Sequence, residues 1–344
     1  MQVAGVALVG AGFIADYHLG ALRRLPGVAL RAVVSRDAAR ARACADRFGV
    51  PDAGTSLPRL LARSDVDAVL VATPDDTHEA VASACLEAGK AVFLQKPMAT
   101  DSAACRRLIA LAAARSLDLQ VSFMHRHFEE VEAARHWIAS GALGTLNSVR
   151  LRNATPGPDW GGWFFQAGRV AGGVVLQLGT HGLDLIEHLF GPVMAVSART
   201  ATLVPRRRLA SGEEVVVENP DSAWATYRLA SGAVVSHEMS AVEAAGCDRF
   251  RMEIYGTEGT LWLRTERGRL AAFAPRRLGA RGWFMPALPE APLGERHHRR
   301  WLAGLTGAAP REETAQAGLR GLLIAEAIAR SSAAGGAETA VDAT

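Results

Sequence analysis

The chain has 344 residues, 49% of them hydrophobic, enough for about two domains of ~150 residues each. A net charge of only +3 over scattered arginines argues against a nucleic-acid partner, and Arg206, Arg207 and Arg208 read as a solvated hairpin tip. No apolar run approaches the ~18 residues of a membrane span, the N-terminus enters a strand without a basic region or cleavage site, and Cys44, Cys85, Cys105 and Cys247 lack paired or metal-ligand spacing, so a cytoplasmic protein without metal, disulfide or membrane contact is expected.

The chain opens with an apolar, β-branched run, Val3 to Val9, followed at once by Gly10, Ala11, Gly12, Phe13, Ile14 and Ala15. This is GxGxxA at a strand-to-helix turn. The first glycine permits the turn, the second lets backbone amides approach a pyrophosphate at the helix N-terminus, and the small third residue allows close helix-to-strand packing. A helix over about Ile14 to Leu25 and a strand over Ala29 to Val34 complete a βαβ unit. An NAD enzyme usually carries Asp or Glu at the end of that second strand; here stand Ser35 and Arg36. Serine removes the carboxylate that would repel a 2′-phosphate, and Arg36 with Arg40 supplies charge to pair with one, which favours NADP over NAD. The alternative is that Asp37 caps the helix Ala38 to Phe48 and Arg36 is solvated; the two are compatible.

Alternation continues with strands at Asp67 to Ala72, Ala91 to Leu94 and Leu119 to Phe123, and helices at Thr77 to Ala88 and Asp101 to Arg115. This is a doubly wound parallel sheet. Thr73, Pro74, Gln95 and Lys96 fall at the carboxyl ends of their strands, the edge where such sheets bind ligands, and His78 is a candidate lining residue of the cofactor cleft. Lys96 stands out because lysine occurs only at Lys90 and Lys96 in a chain that otherwise uses arginine. Only lysine, a compact ammonium whose pKa falls on desolvation, can share a proton with a reacting oxygen.

After Met124 the pattern changes. The helix Phe128 to Ser140 is followed by strands near Leu146 to Arg152, Met194 to Thr200, Ser222 to Leu229, Ala233 to Ala241, Phe250 to Tyr255 and Thr260 to Arg264. A predominantly antiparallel sheet is the simplest reading, with domains at 1–124 and 125–344. Trp160 and Trp163 form either a sugar-stacking wall or packing at the domain interface. Glycines Gly172 and Gly173 precede Gln177, His181 and Asp184, whose spacing of four and three places them on one helical face. A histidine with polar neighbours on such a face is an acid/base candidate.

The segments GAGFIA, ATPDDTHEAVASACLEAGKAVFLQKPMA and GGVVLQLGTHGLDLIEHLFG, in this order and spacing, resemble the glucose-fructose oxidoreductase / inositol dehydrogenase / MocA (Gfo/Idh/MocA) family over nearly the whole chain. EIYGTEGTL and a closing helix over about Glu312 to Ser332 fit as well. The resemblance implies an α/β architecture with an N-terminal Rossmann domain and a C-terminal α+β domain carrying a large open sheet, often used to build a homodimer or homotetramer. It implies hydride transfer on a sugar or polyol substrate, with Lys96 and His181 in the slots of the family's chemical pair and Arg126 and Asp184 at positions that often line the substrate pocket.

Two departures stand out: Gln95 replaces the family's usual glutamate, and Gln177 its usual aspartate. An amide holds a hydroxyl by hydrogen bonding but cannot take its proton, so the acid/base load falls on His181 and Lys96. An NADP-linked oxidoreductase of sugars or polyols, with NAD as the other possible cofactor, is the leading reading. The alternatives are reduction of an imine or other non-sugar carbonyl, and a cofactor-binding sensor that has lost the chemistry.

Overall fold

The structure, a computed structural model, describes residues 3–159, 161–167, 169–245, 248–264, 269–273 and 282–344. Strand and helix alternate at first: β1 (Ala4–Val9), α1 (Ala15–Leu22), β2 (Val28–Val34), α2 (Ala38–Phe48), β3 (Asp52–Gly54), α3 (Leu57–Leu61), β4 (Ala68–Val71), α4 (His78–Glu87), β5 (Ala91–Leu94), α5 (Ser102–Ala114) and β6 (Leu119–Val121). Every residue of β1, β4 and β5 is buried, as expected of parallel strands covered on both faces. The strands lie in the order β3-β2-β1-β4-β5-β6, each neighbouring pair parallel. The strand order reverses between β1 and β4, which makes the carboxyl ends of those two strands the ligand-binding edge. Asp37 and Asp101 cap α2 and α5, their carboxylates accepting from the amides of Arg40 and Ala104.

The chain continues through α6 (Glu129–Ala139), β7 (Leu146–Ala154), α7 (Thr180–Phe190), β8 (Val193–Ala201), β9 (Arg206–Arg208), β10 (Glu214–Val216), β11 (Ser222–Leu229), β12 (Val234–Ser240), β13 (Phe250–Gly256), β14 (Thr260–Arg264), β15 (Arg269–Phe273), α8 (Glu295–Leu305), α9 (Thr314–Ala333) and β16 (Thr339–Ala340). Eight strands form a sheet in the order β15-β14-β13-β7-β12-β11-β8-β16, antiparallel throughout except for the β7–β12 pair. Residues alternate along β11 between buried and exposed, so one sheet face carries the core and the other faces outward. The three arginines expected at a hairpin tip instead form the strand β9 against β10. Arg207 is drawn in by the carbonyls of Pro156 and Ala241, which accept from its guanidinium.

Two compact units result: residues up to Met124 with Ala291–Leu319, and His125–Glu290 with Arg320–Thr344. The sequence pattern assigns 291–319 to the second domain; the structure returns this segment to the first. The cause is α8, which buries Trp301 and Leu302 in the core built by Leu8, Leu70 and Phe93. The Trp301 indole stacks on Phe93 with centroids 4.5 Å apart, and Thr314 Oγ1 accepts from the Val121 amide at 2.8 Å. Among the described residues, no helix is long and apolar enough to cross a membrane.

Candidate active site

In the first unit, the turn between β1 and α1 explains its own glycines. Gly10 has φ 107°, and a Cβ there would lie 2.3 Å from the Ala72 carbonyl oxygen, so the fold itself demands glycine where β1 meets the end of β4. Gly12 differs: a Cβ would meet no protein atom within 4 Å, so packing imposes no glycine there. In dinucleotide-binding turns of this pattern, glycine at this position lets a pyrophosphate approach the backbone. Ala15 is fully buried at the third motif position, Ile14 is half-buried as the N-cap residue of α1, and Phe13 is exposed.

At the end of β2, Ser35 is half-buried and Arg36 exposed. Arg40 is the nearer partner of the cap: its amide donates to Asp37 Oδ1 at 3.0 Å and its guanidinium pairs with the same carboxylate at 3.6 Å. Arg40 is thus held by the capping Asp37.

The ends of β4 and β5 are braced to each other. His78 does not line a cleft; it is wholly buried, with Nδ1 2.8 Å from the Pro97 carbonyl and Nε2 2.9 Å from the Thr73 carbonyl. Thr77 Oγ1 lies 2.8 Å from Thr73 Oγ1 and 2.7 Å from the Pro74 carbonyl, ordering the loop that follows β4. Lys96 is half-buried, its peptide bond to Pro97 is cis, and its amide donates to Gln95 Oε1 at 3.2 Å. The departure at Gln95 is thus used locally, by the backbone of the lysine itself. Lys90 plays a structural part, its ammonium donating to the carbonyls of Arg63 at 2.7 Å and Val66 at 2.9 Å.

In the second unit, Gly172 and Gly173 adopt φ 65° and 51°, and the chain then makes a π-helical stretch over Val175–Gly179 before α7 begins. The wider turn interrupts the 3.6-residue register between Gln177 and His181, while His181 and Asp184 follow one another on α7. Two glycines set α7 against the sheet. A Cβ at Gly179 would fall 2.3 Å from Met239 Sδ, and one at Gly182 would fall 2.6 Å from Asn153 Oδ1 and 2.7 Å from the His237 ring. Beneath them His237 Nε2 lies 2.8 Å from Asn153 Oδ1 and Nδ1 lies 3.1 Å from Tyr227 Oη. Burial pushes His237 down to about 3, so this ring is a neutral structural member.

His181 and Asp184 are both buried at the start of α7. Asp184 is held by Arg126, whose Nε donates to its two oxygens at 3.0 and 2.9 Å while a second guanidinium nitrogen also pairs with Oδ1. Burial raises the Asp184 carboxyl above its ordinary value, and the Arg126 charge opposes that rise. Arg126 and Asp184, expected to line a substrate pocket, are thus engaged with each other. The ring of His181 is stacked on His125, a residue that sequence reasoning missed; the run of basic residues from His125 to His127 was its only trace.

Trp163 belongs to the same unit. It packs 5.1 Å from Phe164, with Arg169 over its ring at 5.9 Å, beside the small apolar cluster of Phe165, Leu209 and Val217. Trp160 lies outside the described residues. Lys96 belongs to the first unit and His181 to the second. Among the described residues, no group of three or more His, Cys, Asp or Glu is placed to hold a metal ion.

Comparison with known proteins agrees with this anatomy. A family model described as "Oxidoreductase family, NAD-binding Rossmann fold" matches residues 4–123, and a "GFO/IDH/MocA C-terminal domain" model matches residues 131–262. Levoglucosan dehydrogenase of Pseudarthrobacter phenanthrenivorans is 28% identical over 326 residues, covering 86% of this chain and 83% of that protein. Trans-1,2-dihydrobenzene-1,2-diol dehydrogenase of Bos taurus is 31% identical over 246 residues, 68% of this chain and 70% of that protein. Among solved structures, levoglucosan dehydrogenase in complex with NADH matches over the full length of both chains with a TM-score of 0.91 at 24% identity, a likeness of fold.

Proposed function

Because the chain belongs to the Gfo/Idh/MocA oxidoreductase family, we propose that it transfers a hydride between a nicotinamide dinucleotide and a hydroxyl or ketone carbon of a sugar, sugar derivative or polyol. The two relatives are dehydrogenases named for levoglucosan and for a diol, which supports a hydroxylated substrate. The strand-end residues fit the dinucleotide: Gly12 leaves its backbone open to approach, and Gly10, Phe13, Ile14, Ser35, Arg36, Thr73, Pro74 and Gln95 share the same sheet edge. When bound, the nicotinamide supplies the hydride acceptor in oxidation and the donor in reduction. With Ser35 and Arg36 in place of an acid, NADP is the preferred form.

The chain's own groups handle the oxygen and its proton. The Lys96 ammonium stabilises negative charge as the substrate oxygen becomes an alkoxide. A ring nitrogen of His181 takes the hydroxyl proton in oxidation and returns it in reduction. Gln177 holds a neighbouring hydroxyl without competing for that proton, and the Arg126–Asp184 pair fixes the start of α7. The observation that carries this reading is Lys96. It is one of two lysines, the other is spent on main-chain carbonyls, and this one stands on a braced strand end at the ligand-binding edge. Assembly of copies through the outward face of the eight-stranded sheet is part of the same reading.

The test is consumption of NADPH and NADH with a panel of keto sugars and imines, and formation of the reduced cofactors with polyols. Turnover of keto sugars and polyols is expected. Turnover of imines alone would replace the substrate class, and tight cofactor binding with no turnover would identify a sensor.

A further inference from the structure

We propose that His125 is a positioning residue for His181, its ring serving as the platform that fixes the plane of the acid/base imidazole; this rests on the role given to His181 above. The two rings are nearly parallel, 8° apart, with centroids separated by 4.2 Å, and the residues are only 3% and 5% exposed. The platform is itself held from two sides. Phe128, at the start of α6, lies 5.0 Å from the His125 ring, and Phe250 of β13 meets it edge-on at 5.2 Å and 75°.

The backbone under His181 is fixed independently. Gly179 and Gly182 flank it, and neither leaves space for a single methyl group against Met239, Asn153 and His237. Helix α7 therefore has no slack toward β7 and β12. With the backbone fixed, the orientation of the His181 ring depends on its side-chain torsions, of which the terminal one is broad and roughly two-fold for an sp³–sp² bond. Face-to-face contact with a second ring restricts that rotation, because turning the imidazole out of parallel drives its edge into His125. An acid/base nitrogen has to point along the hydrogen bond to the reacting oxygen, and a ring that swings is misaimed for much of the time.

The test uses the full chain with His125→Ala, which removes the platform, and His125→Phe, which keeps a flat ring. His125→Ala is expected to lower kcat by roughly ten- to a hundredfold, with KM and cofactor affinity within about threefold of the unmodified protein, and His125→Phe to restore most of kcat. Should the alanine variant fail to fold, His125→Leu fills the volume without a flat face and is expected to behave as described for alanine. The second readout is the NMR shift of the His181 ring protons, assigned with His181→Ala. The ring-current displacement is expected to vanish in His125→Ala or His125→Leu and persist in His125→Phe. Full kcat without the flat ring, a phenylalanine variant no better than the alanine one, or an unchanged His181 shift would overturn the proposal. Full activity in His181→Ala would instead overturn the acid/base reading, and the ring shifts would still decide whether His125 orders His181.

Discussion

Arg36 follows β2 and Arg40 lies in the first turn of α2. Arg40 is paired with the capping Asp37, whereas Arg36 is the charge proposed to meet a 2′-phosphate. Arg36→Ala should therefore erase most of a preference for NADPH over NADH that a charge-assisted phosphate contact sets at roughly ten- to a hundredfold, and Arg40→Ala should matter less. Fluorescence titration with both cofactors measures this; equal affinities in the unmodified protein would show the cofactor assignment to be wrong. A second prediction concerns buried histidines. His18 is pushed well below its ordinary value by burial and by the neighbouring His298, 2.8 Å away, and burial takes His237 to about 3. Both rings stay neutral in the fold and take protons in the unfolded chain, so the stability they contribute is full above about pH 6.5 and is lost below it at ~1.4 kcal/mol per pH unit for each ring. In His237→Gln the loss of stability between about pH 6.5 and 4 should be shallower by ~1.4 kcal/mol per unit, read from urea unfolding; an unchanged slope would mean that His237 is charged in the fold. At this scale the sequence was legible for position, placing Ser35, Arg36 and Lys96 just past the ends of their strands. It was illegible where the partner is a distant carbonyl or ring, as for His78 on Pro97 and His125 against His181, because no spacing encodes such contacts.

Glycines separate what the elements need from what a ligand needs. Gly182→Ala places a methyl group against Asn153 and His237 and should cost ~1–3 kcal/mol of stability by overpacking α7 on the sheet, lowering Tm by several degrees. Gly12→Ala meets no protein atom, so its Tm should match that of the unmodified protein while dinucleotide affinity falls. Calorimetry and cofactor titration on the two variants check both; a Gly12→Ala protein that binds cofactor normally would remove the turn from the binding site. Strand and helix bounds were readable because capping and alternation are local: Asp37 before α2, and the buried-exposed alternation of β11. The π-helical stretch before α7 was not. Glycine after glycine signals a turn into a helix, but that signal does not specify the wider turn that follows over Val175–Gly179.

For the whole molecule, the unforeseen feature is the return of residues 291–319 to the first unit, since the apolar face of α8 does not announce which core it fills. The outward face of the large sheet is the surface proposed for assembly. Trp224 is 45% exposed in a groove of about 500 Å³ that is also lined by Arg150, Arg152, Glu238, Arg251 and Glu253. Trp224→Glu should lower the mass measured by light scattering toward that of one chain while leaving each chain folded; an unchanged mass would place assembly elsewhere. Lys96 is proposed to set a compact ammonium against the reacting oxygen, a role distinct from that of a structural charge. The most direct measurement is kcat of Lys96→Arg, with cofactor affinity determined on the same sample. The guanidinium stays protonated and is planar and bulky, so kcat should fall by ~10² or more while the dinucleotide still binds. Near-normal turnover in Lys96→Arg would make the residue a structural charge and contradict the account.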